Sequence, residues 1–271
     1  GNIDLAALLC DIATFLRRYV ALTEHQQRAL SLWIAHAYAI DAADCTPYII
    51  LRSAEKRSGK TLLLEVLSLL VPRAWLTGRV TPAVLVRKIS GVSPTLLFDE
   101  TDAVFGGNKE FSEALRGVLN SGYRREGAYS ICVPERGEWV YKDFPVFGPK
   151  ALAGIGNLPD TVQDRGIAID MRRKLKTEET ERFGRRKVVQ DAAILAEALA
   201  IWADEAVPIL EVTEPGIPEK LNDRAADVWE PLLAIADMAG GEWPTWARQS
   251  AIALSGSSGQ EDESLGVTLL K

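Results

Sequence analysis

Apolar residues recur at helical spacing through the first forty positions. Leu5, Leu8, Leu9, Ile12, Leu16 and Val20 mark one face, and Leu30, Leu32, Trp33, Ala37 and Ile40 mark another. The pattern predicts helices over 4–20 and 24–40, with Thr23 and Glu24 supplying the cap between them. Pro47 closes this region and Tyr48-Ile-Ile-Leu51 follows as a short apolar strand. From there to about residue 171 the pattern alternates. Helix is predicted at 60–70, an extended piece near Trp75–Thr77, helix at 82–89, a buried strand at Thr95–Phe98 and helix at 110–121. Lys150–Ile155 and Gly166–Asp170 read as two further interior strands. Alternation of this kind predicts an α/β fold, a mostly parallel sheet with flanking helices.

Beyond Met171 only helical periodicity remains, over about 177–185, 188–206, 222–239 and 244–254. Three parts are therefore expected: an N-terminal helical segment (1–46), a core (47–171) and an all-helical C-terminal part (172–271). Gly1 reads as an artificial boundary, and Ser264–Lys271 opens an apolar element at the very end, so a longer polypeptide is expected, truncated at its C-terminal side.

Composition narrows the classes. The chain has 271 residues, 47% hydrophobic and 25% charged, which is globular usage. Its 37 acidic and 31 basic side chains give a net charge of −6, which excludes a wholly basic nucleic-acid-coating protein but not a locally basic groove. Three cysteines, Cys10, Cys45 and Cys132, follow no zinc or disulfide spacing, and no apolar run reaches the roughly 18–20 residues that span a bilayer. A cytoplasmic protein without a membrane partner is expected.

The chemistry begins after the first strand. Ala54-Glu-Lys-Arg57-Ser58-Gly59-Lys60-Thr61 leads from that strand into a helix, the setting a phosphate-binding loop requires. Backbone N–H groups at the helix start attract phosphate oxygens, and Gly59 lets the backbone approach them. Lys60 is expected to reach the β- and γ-phosphates, and Thr61 to offer its hydroxyl to Mg²⁺. Farther on, Asp99 and Glu100 end the Leu96-Leu-Phe98 strand, where open α/β sheets bind ligands. Asp99 is the candidate for the hydrated Mg²⁺, and Glu100 for the base that orients and deprotonates an attacking water. The two motifs together specify a nucleotide triphosphatase. GTPases are disfavoured because Asn108-Lys109-Glu110-Phe111 lacks their Asp. DEAD-box helicases are disfavoured because a second motor domain is missing, and small-molecule kinases because they need no Glu100.

The downstream residues resemble the AAA+ class of ATPases. Lys150–Asn157 resembles the sensor-one strand, which in that class lies between the two motif strands and brings an Asn, here Asn157, to the γ-phosphate. Leu158–Arg165 resembles the box whose arginine finger, here Arg165, enters the neighbouring subunit's site. The C-terminal helices resemble the AAA+ lid, with Arg224 in the second-sensor position. Residues from about 30 to 270 are similar to an uncharacterised bacterial, phage and plasmid AAA+-like family associated with primase-helicase replication modules. Ser53–Thr61, Pro94–Glu100, Ala151–Gly156, Leu158–Arg165 and Asp223–Ala236 carry the likeness. Ala54 and Arg57 depart from the usual Pro or Gly, which bears on nucleotide affinity rather than on the fold. The resemblance implies ATP and Mg²⁺ as ligands, and a ring-shaped homo-oligomer, a hexamer, as the working form.

Ala128–Val133 and Glu138–Lys142 flank Pro134-Glu-Arg-Gly137 and read as a β-hairpin. Viral and MCM-like AAA+ helicases carry a pore hairpin here. By that likeness Arg136 and Lys142 would contact DNA phosphates and Trp139 or Tyr141 would stack on bases; equally, the aromatics of a plain hairpin would cover the core. Arg172, Arg173, Lys174, Lys176, Arg182, Arg185, Arg186 and Lys187 outweigh Glu178, Glu179 and Glu181 in a locally basic run, read as solvated helix surface. The leading expectation is an AAA+-type P-loop ATPase acting as a DNA helicase or translocase in phage or plasmid replication. The alternative is a nucleotide-dependent switch or assembly scaffold that engages no nucleic acid.

Overall fold

The computed structural model describes residues 3–54, 58–99, 101, 109–154, 158–175 and 177–256, with the side chain of Arg185 not described. Two helices open the chain, α1 (Leu5–Tyr19) and α2 (Glu24–Tyr38), each presenting its apolar stripe to the core. The Asp4 carboxylate caps α1 through Ala7 N at 3.1 Å. Thr23 and Gln26 form a reciprocal capping box on α2, as the Thr23 signal predicted, so both ends of that turn have their backbone donors satisfied.

Five parallel strands form the centre: β1 (Tyr48–Arg52), β2 (Ala74–Thr77), β3 (Thr95–Phe98), β6 (Lys150–Ala153) and β7 (Gly166–Asp170). Their spatial order is β2-β3-β6-β1-β7. β3 and β6 are buried along their whole length, which is why Leu96–Phe98 and Ala151–Ala153 read as apolar runs. Ile49 lies beside Ala151 and Ile167, and Ala151 beside Leu97, so β6 sits between the strand leading to Gly59 and the strand leading to Asp99. Helices α3 (Lys60–Leu70), α4 (Pro82–Val92) and α5 (Lys109–Ser121) connect the early strands. A short helix α6 (Asp160–Gln163) precedes β7.

The hairpin is present and longer than expected. β4 (Ala128–Glu135) and β5 (Glu138–Pro145) pair in full antiparallel register around a two-residue turn, Arg136-Gly137. Both turn residues have positive φ, 51° and 90°, which matches the right-handed twist of a tight hairpin.

The C-terminal helices are α7 (Arg185–Leu210), α8 (Asp223–Ala239) and α9 (Trp243–Gly256). They close back on the N-terminal pair: α9 and α8 pack on α2, and α7 packs on α1 and α3. Trp243 Nε1 donates to Ala6 O at 3.1 Å, tying α9 to α1. The helix expected at 177–185 does not form. Glu178 instead accepts from Leu175 N at 2.8 Å, Glu181 N donates to Arg18 O at 2.8 Å, and the Phe183 ring meets Tyr19 edge-on. These contacts hold residues 177–184 as a non-helical strap against the end of α1, and helix starts only at Arg185. Among the described residues no helix is long and apolar enough to cross a membrane.

Candidate functional site

The loop after β1 turns into α3 at Gly59, whose φ of +89° is a left-handed conformation that side chains resist. A Cβ there would lie 3.7 Å from Met171 Cε, so the end of β7 closes over the same point. Lys60 opens α3, and its Nζ donates to Ser58 Oγ at 3.3 Å. One residue later, Thr61 Oγ1 donates to Asp99 Oδ2 at 2.8 Å. Asp99 is held at the tip of β3 by its own backbone, Asp99 N donating to Thr77 O at 2.9 Å. Parallel pairing through β6 brings the two tips together, so Ser58, Gly59, Lys60, Thr61 and Asp99 lie at one end of the sheet.

Thr61 hydroxyl and Asp99 carboxylate are hard oxygen donors in contact, beside an ammonium and the start of a helix. This donor set fits Mg²⁺, which takes one or two protein oxygens and completes its shell with water and phosphate. Among the described residues no group of three or more His, Cys, Asp or Glu gathers as a metal cage. Arg57, Glu100 and Asn157 lie outside the described residues.

Two partners of this region escaped the sequence reading. Arg52 at the end of β1 grips Asp170 at the end of β7 through two hydrogen bonds, 2.8 and 3.0 Å, and Gln26 Nε2 donates to Asp170 O at 3.0 Å. Thr101 is buried, its hydroxyl donating to Ala153 O at 3.1 Å, which ties the chain after Asp99 to the end of β6. Ion-pair partners across strands have no local signature.

Arg165 occupies the other end of the sheet. Its carbonyl accepts from Tyr48 N at the start of β1, and its guanidinium donates to Asn120 Oδ1 at 3.2 Å and to the Thr161 carbonyl. Gly166 to Asp170 of β7 separate it from the phosphate-loop end, roughly 13 Å at about 3.3 Å per residue. Arg224 is found beside it rather than near Lys60. It lies in the first turn of α8 and pairs with Asp164. Arg124 faces Asp227 at 3.9 Å in the same place. All three arginines line one cleft of about 530 Å³ between the end of α5, the root of the hairpin and the start of α8. A second groove, about 500 Å³, follows β7 from Arg224 to Arg52.

The hairpin candidates separate onto two faces. Cross-strand pairing groups Pro134 with Trp139 and Cys132 with Tyr141, and Trp139 and Tyr141 are 74% and 84% exposed. Lys142 pairs with Ile131 on the opposite face, and its Nζ lies 5.9 Å from the Phe144 ring centre. Arg136 stands at the turn. Trp139 and Tyr141 therefore do not cover the core, whereas Tyr129 and Phe144 on the other face pack against it; the exposed face carries Asp143 but no lysine or arginine of the two strands.

Two buried bases stand apart from these clusters. Burial pushes His36 down to about 3, and its Nε2 meets Thr46 Oγ1 at 2.9 Å. Burial also lowers Lys150, to about 7; its ammonium donates to Gly148 O at 2.8 Å and Val146 O at 2.9 Å, pinning the root of the hairpin.

A family described as "Protein of unknown function (DUF3631)" matches residues 170–271, the strap and the C-terminal helices. Over 93 residues the chain is 43% identical to an "Uncharacterized 28.9 kDa protein in xis 5'region" of Saccharopolyspora erythraea, a stretch covering 34% of this chain and 35% of that protein. The chain thus spans about a third of the curated relative it matches. Among solved structures, the NrS-1 C-terminal region in its A-form apo state aligns at 15% identity and a TM-score of 0.39, covering 88% of this chain and 51% of that one. The JCV helicase aligns at the same identity and TM-score, covering 78% and 61%. At that degree of overlap neither likeness says anything of activity.

Proposed function

We propose that the chain is an AAA+-type P-loop ATPase core, the motor of a ring-shaped homo-oligomer, a hexamer, that moves DNA. The contact between Thr61 and Asp99 carries this reading, because it joins a phosphate-loop hydroxyl to a strand-end carboxylate at the end of a parallel sheet where ligands bind. The position of β6 between β1 and β3 supports it further.

In this reading Ser58, Gly59 and Lys60, with Arg57, receive the triphosphate, and Lys60 offsets its negative charge. Thr61 and Asp99 would hold Mg²⁺, which would neutralise phosphate charge. Glu100 accepts a proton from water as that water attacks the γ-phosphorus and the bond to the ADP oxygen breaks. Asn157, four residues beyond β6 in the sequence, orients the γ-phosphate, and Arg165 of an adjoining subunit stabilises the charge that develops on transfer.

The hairpin supplies the DNA contact, with Trp139 and Tyr141 offering stacking surfaces and Arg136 and Lys142 the charge. One observation favours the second reading, a nucleotide-dependent switch or scaffold without nucleic acid. The aromatic face lacks a basic residue of its own strands, and Lys142 turns to the other side.

ATP turnover measured with and without single-stranded DNA, at low and high salt, alongside mass in solution, tests both. Stimulation that falls steeply with salt and a mass several times that of the chain support the motor. Turnover indifferent to DNA leaves the switch, and no turnover or ATP binding at all refutes both.

A further inference from the structure

The AAA+ likeness would give Arg224 to the nucleotide of its own chain, but its surroundings point elsewhere. We propose that Arg224 acts with Arg165 on the nucleotide of the adjoining subunit, in trans, with Asp164 as its positioning residue. This rests on the reading of the chain as an assembling P-loop ATPase.

Location is the first argument. Asp164, the partner of Arg224, is the chain neighbour of Arg165, and both guanidinium groups line the 530 Å³ cleft. The Thr61–Asp99 pair lies beyond the opposite end of β7, roughly 13 Å of strand away, farther than an arginine side chain reaches. A single anionic group entering the cleft meets both arginines.

Energetics is the second. The Arg224 side chain is 75% exposed and Asp164 41%, and an exposed pair of this kind contributes only about 0–1 kcal/mol to folding. A cation in the first turn of a helix also opposes the helix dipole. Arg224 therefore does little for the stability of α8. The same dipole, with Arg165 close by, attracts an incoming phosphate; Arg124 is already faced by Asp227, and Glu126 also lines the cleft. Entry would exchange the single charge of Asp164 for the several charges of a triphosphate.

Mounting is the third. Asn222 caps α8 through Ala225 N at 2.9 Å, and Val228, Trp229, Leu232 and Leu233 anchor the helix in the core. Arg224 is thus carried on a rigid element whose packing does not depend on it.

Subunit mixing tests the proposal. Arg224→Ala alone should lower ATP turnover about 10²-fold or more while binding a fluorescent ATP analogue as tightly as the unaltered chain. Mixed with Lys60→Ala subunits, themselves inactive, it should regain turnover, because some interfaces then pair an intact loop with an intact Arg224. Arg165→Ala mixed in the same way is the control. Rescue of Arg165→Ala without rescue of Arg224→Ala, or full turnover by Arg224→Ala alone, overturns the inference and leaves the ATPase reading standing. Unchanged ATP binding by Lys60→Ala sinks the reading itself. Asp164→Asn provides a second variant: it should alter turnover without altering ATP affinity, and a change confined to the chain's own affinity counts against a role in trans.

Discussion

Thr61 donates its hydroxyl to Asp99 at 2.8 Å across two elements far apart in the chain. The contact needs α3 to begin one residue after a left-handed Gly59 and β3 to end at Phe98, with β6 as the spacer between β1 and β3. In the proposed reading these two polar groups share one ligand.

Lys60→Ala and Asp99→Ala should therefore fail differently. The first should abolish binding of a fluorescent ATP analogue, since the phosphates lose their ammonium. The second should bind with weakened Mg²⁺ dependence and lose turnover, while Thr61→Ser keeps both. Equal Mg²⁺ titration curves for Asp99→Ala and the unaltered chain would remove Asp99 from the metal.

Glu100→Gln should bind ATP and turn it over about 10²–10⁴-fold more slowly, the range expected for loss of a general base. Normal single-turnover rates would assign the base elsewhere.

Arg165→Ala should cost roughly 10³–10⁵ in turnover if it acts as a finger. Its hydrogen bonds to Asn120 and Thr161 are partly exposed, so thermal unfolding should shift little. A large fall in melting temperature with only a modest loss of rate would indicate a structural role.

On the hairpin, Trp139→Ala should weaken single-stranded DNA binding by about 1–3 kcal/mol for each base stacked. Lys142→Ala, on the other face, should change the salt dependence instead. Identical effects of the two would contradict their separation onto opposite faces.

His36 predicts a pH dependence. Its pKa is pushed from 6.5 to about 3 by burial, so between those values the unfolded chain binds the proton that the folded chain refuses. Its contribution to stability is complete above about 6.5 and is lost as pH falls toward 3. His36→Asn should flatten this part of the denaturant midpoint against pH, and an unaltered profile would show that other groups set it.

Much of the fold was legible because its signals are local. The face of Leu5, Leu8, Leu9 and Ile12 announces α1, Thr23 announces the cap of α2, and the uninterrupted run Thr95–Phe98 announces a strand buried on both faces. The strap shows the limit. Residues 177–184 carry helical spacing, yet Arg18 O, Tyr19 and Arg172 compete for their backbone and side chains, and those partners win. Trp139 shows it again, since only cross-strand register decides that it faces away from Lys142.

The sequence by itself determined most of the elements and which residues stand at their ends: Gly59, Lys60 and Thr61 at a helix start, Asp99 at a strand end. Backbone geometry and apolar periodicity are properties of neighbouring residues. Tertiary structure alone decided which charges meet, Arg52 with Asp170 and Arg224 with Asp164, and so put Arg224 beside Arg165 rather than beside Lys60. An exposed guanidinium reaches any carboxylate that packing brings near, and nothing in its own stretch of chain names that carboxylate.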